Sequence, residues 1–230
     1  MGGQLKRQTL GDASGAVGHL VFRIKGERNI IAQRPIKKAN PLPPSEKVAA
    51  IRAKFKLAGN IAGCLYDAGT LKDLWPKPGV NKGTKYTAMF KKNYSTIGTF
   101  ENLGVVQVTP DHGIPMTNAA IALTQKGMTI TADEFGASAE IDPDLEKFLV
   151  AVGVVVMTTP TNPSDPPYKV LTVKTGLQSL DNDQPISMSF QFGGADIAQY
   201  EAYTDKKVFL TFLTQTAGGI PVHYTEQFSN

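Results

Sequence analysis

One cysteine, one tryptophan and three histidines are all that 230 residues hold of these side chains. The single Cys64 cannot close an internal disulfide, so stability must come from packing or assembly, and the chain suits a reducing compartment or a particle assembled in the cytosol. His19, His112 and His223 stand in separate segments, with neither an H-E-x-x-H motif nor a Cys/His pair at ligand spacing, which speaks against a metal site. A G-x-S-x-G elbow and a P-loop are also missing, so two common nucleophilic and phosphate-cradling chemistries have no foothold. The longest apolar run, FLVAVGVVVM at 148–157, is too short to cross a bilayer as a helix, and the first residues lack the charged, apolar, small order of a signal peptide. These absences predict a soluble, non-enzymatic protein that starts at Met1 and uses no cofactor, metal or membrane.

Weaker chemical candidates have cheaper explanations. His112 adjoins Asp111 in TPDHGIP, where Pro and Gly mark a turn. DNDQ at 181–184 and IDPDLE at 141–146 cluster carboxylates without the spacing of a calcium loop, and turn chemistry accounts for both. FGGADIAQY is a Gly pair before a short helical pattern, a weak phosphate signal. Asn93-Tyr94-Ser95 is a glycosylation sequon, expected to be idle, and Cys64 reads as a small core residue of a helix.

What is present is charge sorted along the chain. Residues 1–60 hold 12 Lys and Arg against 3 Asp and Glu, whereas residues 61–230 hold 12 against 17. Such polarity suits nucleic acid, and it equally suits contact between copies in which the basic part of one meets the acidic part of the next.

The order of elements follows from composition and period. GHLVFRI and RNIIAQR around a Gly predict a β-hairpin over 17–34 that Pro35 ends, and a hairpin alone in water is marginal, so it must dock on something. ANPLPP is stiff and extended. With Ser45 as N-cap, a helix should follow, its stripe formed by Val48, Ile51, Phe55, Ala58, Ala62 and Leu65, with Lys47, Arg52, Lys54 and Lys56 off the stripe. KYTAMFKKNYS predicts a second short helix packing Tyr86, Met89, Phe90 and Tyr94. From residue 100, GVVQVTP, AAIALT, MTITAD, FLVAVGVVVM, YKVLTVKT, ISMSFQF, KVFLTFLTQT and IPVHYTEQF read as about eight strands. FGASAEIDPDLE and TPTNPSDPPY read as surface loops, His19 and His223 as structural residues in strand-like runs. The fold class expected is mainly β with an α-helical N-terminal part: an arm with a β-hairpin at 1–44, a helical segment at 45–98, and an Ig-like β-sandwich or barrel body at 99–230.

The arm supplies the candidate site. Val21, Phe22, Ile24, Ile30 and Ile31, with Arg34 and Pro35 at the exit, are expected to contact a neighbouring subunit by adding strands or apolar surface. Arg23, Lys25, Arg28, Lys37 and Lys38 on the arm, and Arg52, Lys54 and Lys56 on the following helix, are the basic contacts, facing acidic protein or phosphate. A nucleic-acid-binding module using the same arm and helix is the alternative, weakened by few aromatic residues: Phe22 is the only one before Phe55.

The stretch LGDASGAVGHLVFRIKGERNIIAQRPIKKANPLPPSEKVAAIRAKFKLAG resembles the N-terminal signature of an uncharacterised family of roughly 200-residue proteins of Bacteroidetes and their phages and prophages. The positions that carry the resemblance are Gly11, Ser14, Gly15, Val17, Gly18, Gly26, Arg34, Pro35, Lys37, Lys38, Arg52, Lys54 and Phe55. DKKVFLTFLTQTAGGIPVHYTEQF also looks like that family's closing pair of strands. The resemblance implies a phage-type or secreted assembly protein of β-sandwich form with no catalytic residues to carry over. The expected setting is a virion assembled in the bacterial host cytoplasm, and the expected partners are copies of the chain, other virion proteins and, where the arm faces it, a packaged genome.

Overall fold

The computed structural model of the chain describes residues 3–6, 15–25, 28–34, 43–76, 84–99, 101–136 and 141–230, with the backbone alone described at 3–6, 25, 28 and 29. The chain divides into two compact units, Met1–Pro44 and Ser45–Asn230.

The first unit is a four-stranded antiparallel sheet of β1 (Gly3–Lys6), β2 (Gly15–Val17), β3 (Leu20–Lys25) and β4 (Arg28–Gln33), in the order β1-β4-β3-β2. β3 and β4 are the predicted hairpin, and β1 and β2 add a strand on either side of it. Gly18 at φ +57° begins the two-residue connection between β2 and β3, a conformation that glycine adopts without strain. His19 therefore sits in a turn, not in the strand-like run expected of it. Its carbonyl accepts the Arg34 N–H at 2.6 Å, which closes that end of the sheet.

The second unit has three layers. Its centre is a sheet built on β7 (Phe148–Pro160) and β11 (Tyr203–Gln215), paired antiparallel over nearly their whole length. β8 (Tyr168–Lys174) and the two-residue β9 (Gln178–Ser179) pair with β7, while β12 (Pro221–Tyr224) and β13 (Phe228–Ser229) pair with β11. On one face lies a smaller sheet of β5 (Ala120–Leu123), β6 (Gly127–Ala132) and β10 (Ile186–Gln191), in the order β10-β6-β5. On the other lie α1 (Glu46–Asp67), α2 (Thr70–Leu74) and α3 (Lys85–Thr96), and α4 (Gly194–Glu201) leads into β11. The body is thus a sheet-on-sheet sandwich backed by helices, and among the described residues neither sheet closes into a barrel.

Alternation along β7 explains its unbroken apolar run. Val150, Val152, Val154 and Val156 join the cluster beneath the helices, and Leu149, Ala151, Val155 and Met157 join the cluster between the sheets. A strand covered on both faces has no polar side to show. Gly153 interrupts the valines because a Cβ there would stand 2.0 Å from the Phe209 carbonyl oxygen.

The helices deviate from expectation in where they are covered. Leu57, Ala58, Ile61, Ala62 and Leu65 of α1 are buried, but Val48, Ile51 and Phe55 of the predicted stripe are exposed. Periodicity identifies the apolar face of a helix and cannot say how far the surface beneath it extends. Ser45 takes the N-cap position without a capping side-chain bond, whereas Thr84 and Thr87 form a reciprocal capping box that starts α3.

Among the described residues, GVVQVTP is the one predicted strand that pairs with no other. Val106 and Val108 are buried as a strand's would be, yet the segment is held by side chains. Asn93 Oδ1 accepts the Gln107 N–H at 2.9 Å and its Nδ2 donates to the Gln107 carbonyl at 3.0 Å; Gln227 Oε1 accepts the Val108 N–H at 2.8 Å; Trp75 Nε1 donates to the Val108 carbonyl at 3.2 Å. Backbone groups must be paired, and here buried amides replace a neighbouring strand. The same bonds explain why the Asn93 sequon cannot be used, since its side chain is buried and fully engaged, with a further bond to Met89 O.

Candidate assembly interface

The register of the first sheet sorts its side chains. Val17 pairs with Leu20, Gly15 with Phe22 and Phe22 with Ile31, so Val17, Leu20, Phe22, Ile24 and Ile31 share one face. Ala16, Val21, Arg23, Ile30 and Ala32 share the other. The predicted contact residues are therefore divided: Phe22, Ile24 and Ile31 act together, and Val21 and Ile30 accompany Arg23. Val17, Leu20 and Ile24 on the first face are 71%, 44% and 40% exposed. Sequence reasoning missed Leu20, although its alternation with Phe22 and Ile24 was visible, and Val17, which joins that face only through the β2–β3 register. Among the described residues of its unit the sheet is a single layer.

Among the basic candidates, Arg23 and Arg34 are exposed, and Lys25 and Arg28 are register partners at the end of the β3–β4 hairpin. Pro35, Lys37 and Lys38 lie outside the described residues. Arg52 and Lys56 of α1 are exposed, while Lys54 is half-buried with its Nζ 5.0 Å from the centre of the Tyr94 ring. That ring belongs to α3, which runs beside α1 and brings Phe90 and Tyr94 to Phe55, at centroid distances of 4.7 and 6.2 Å. The scarcity of aromatics near these lysines is thus a property of the sequence, not of the surface.

The weaker chemical candidates resolve into structure. Asp111 accepts a hydrogen bond from the Tyr224 hydroxyl, so its described side-chain partner is Tyr224, not His112. Burial, reinforced by that carboxylate, pushes the Tyr224 phenol up to about 12. Asp142 and Asp181 each accept the N–H two residues on, at 2.9 and 3.1 Å, which is turn chemistry. Cys64 packs against the core and donates to the Val170 carbonyl at 3.6 Å, and burial raises its thiol pKa.

Glu146 corrects one expectation, since it belongs to a predicted surface loop and is buried. Its Oε1 accepts the Asp142 N–H at 2.9 Å and stands 3.0 Å from His223 Nδ1, tying the loop before β7 to β12. The two residues lie 77 positions apart, beyond any local pattern. No hydroxyl or thiol side chain is hydrogen-bonded to that ring among the described residues. No group of three or more His, Cys, Asp or Glu among the described residues could hold a metal ion, and no described helix is long and apolar enough to cross a membrane. Compared with protein-family models, curated proteins and solved structures, the chain matches none.

Proposed function

We propose that the protein is a non-enzymatic structural component of a bacteriophage virion that assembles by placing its N-terminal sheet on a neighbouring copy. The observation that carries the assembly role is the apolar face of Val17, Leu20, Phe22, Ile24 and Ile31, on which Val17, Leu20 and Ile24 are exposed and over which no second layer lies among the described residues of the unit. An exposed apolar surface of this kind is stabilised by whatever removes it from water. Among the described residues the outer edge of β2 pairs with no strand, which leaves backbone groups to which a strand of another molecule can bond. Charge supports a copy as the partner, because the basic first quarter of one chain complements the acidic remainder of another. The virion setting is supported by the resemblance of the N-terminal stretch to the phage and prophage family.

Deletion of residues 1–44 tests the reading. The remaining chain is expected to fold with its three-layer body intact and to stay monomeric under conditions in which the full chain assembles. Assembly of the truncated chain into the same particle, seen by electron microscopy, would falsify the proposal.

A further inference from the structure

We propose that the surface shared by α1 and α3 binds single-stranded nucleic acid, independently of the assembly role proposed for the first unit. Phe55 is 59% exposed, an unusual place for a phenylalanine unless something stacks or packs on it. Behind it, the Phe90 and Tyr94 rings lie 5.8 Å apart and within 15° of parallel, giving the open ring a stiff aromatic backing. Elsewhere on the same two helices Lys47, Arg52 and Lys56 of α1 and Lys91 of α3 are exposed and none is in an ion pair with a described residue, while Lys54 Nζ stands 5.0 Å from the Tyr94 ring. α3 carries no acidic residue, and those of α1, Glu46 and Asp67, stand at its two ends. An open aromatic ring and exposed cations without ion-pair partners on one helix pair are the two ingredients of single-strand recognition: base stacking and phosphate neutralisation.

Two other occupants fit less well. A duplex needs only the cations, since its bases are already stacked and cannot use the ring. The basic first unit of a second copy would bring like charge to like, so its apolar residues would dock against repulsion.

Fluorescence anisotropy of a labelled oligothymidylate with the full-length protein, run beside a duplex of equal length, tests the assignment. The single strand is expected to bind more tightly, with log affinity falling by about 0.7 per phosphate contact for each tenfold rise in salt. Phe55→Ala, at an exposed position, should leave the thermal unfolding transition in place and weaken the single strand about tenfold. Arg52→Gln with Lys56→Gln should flatten the salt slope by about 1.4, two contacts' worth. Absence of binding at low salt overturns the proposal, as does equal binding of duplex with Phe55→Ala unchanged. A Phe55→Ala protein that loses self-association but keeps oligothymidylate binding also overturns it, and makes this face a protein contact.

Discussion

β3 and β7 are both apolar strands, and they differ in what lies over them. Every second residue of β7 from Val150 to Val156 packs under the helices, and most of the alternate residues pack against the small sheet. β3 belongs to a sheet that has no second layer among the described residues of its unit, and Leu20 and Ile24 stay substantially exposed. At about 25 cal/mol per Å² of apolar surface, β7 collects its burial energy within the chain, whereas the exposed side chains of β3 leave that gain uncollected. Apolar content in a strand says that cover is required. The cover's source, same chain or another, is a separate question that topology answers for β7 and that assembly is proposed to answer for β3.

If that contrast is correct, substitutions in the two strands must fail in different assays. Val154→Asp places a carboxylate in the dry layer beneath α1 and should cost more than about 4 kcal/mol, abolishing the cooperative unfolding transition seen by circular dichroism. Asn93→Ala removes three hydrogen bonds and strands the Gln107 amide, so a loss of about 2–4 kcal/mol in urea unfolding is expected, with the core strands still formed. Phe22→Asp with Ile24→Asp should change the body's urea midpoint by an amount equivalent to less than about 0.5 kcal/mol while removing self-association. A collapse of the body on that double substitution would erase the distinction between the strands.

The smallest effect is confined to alkaline pH. The folded state holds the Tyr224 proton up to about 12, against about 10 in an unfolded chain, so this contribution is complete below pH 10 and disappears as pH rises through 12. Thermal melts of the native protein should therefore decline more steeply between pH 10 and 12 than those of Tyr224→Phe. Parallel curves would mean that the hydroxyl's bond to Asp111 contributes nothing.

The parts of the fold legible beforehand were those in which local pattern and final environment agree. FLVAVGVVVM, YKVLTVKT and KVFLTFLTQT pair as strands because their β-branched and aromatic runs are continuous and turn residues bound them. GVVQVTP has the same texture and forms no ladder, since Asn93, Gln227 and Trp75, distant in sequence, satisfy its backbone. β1 and β2 gave almost no signal, because GQLK and GAV contain too few β-branched residues to announce a strand. In the candidate interface, the residue types were visible and the grouping was not: strand register, a tertiary property, parts Val21 and Ile30 from Phe22, Ile24 and Ile31. The aromatic surface on α1 and α3 was hidden for a related reason, as Phe55 meets Phe90 and Tyr94 only when the two helices pack.

Sedimentation velocity of the full-length protein across a range of concentrations, beside the Phe22→Asp, Ile24→Asp variant, tests the proposed clasp most directly. The native chain should sediment faster as concentration rises, and the variant should remain a folded monomer throughout. A native chain that is monomeric at every concentration, or a variant that associates as the native chain does, would contradict the account.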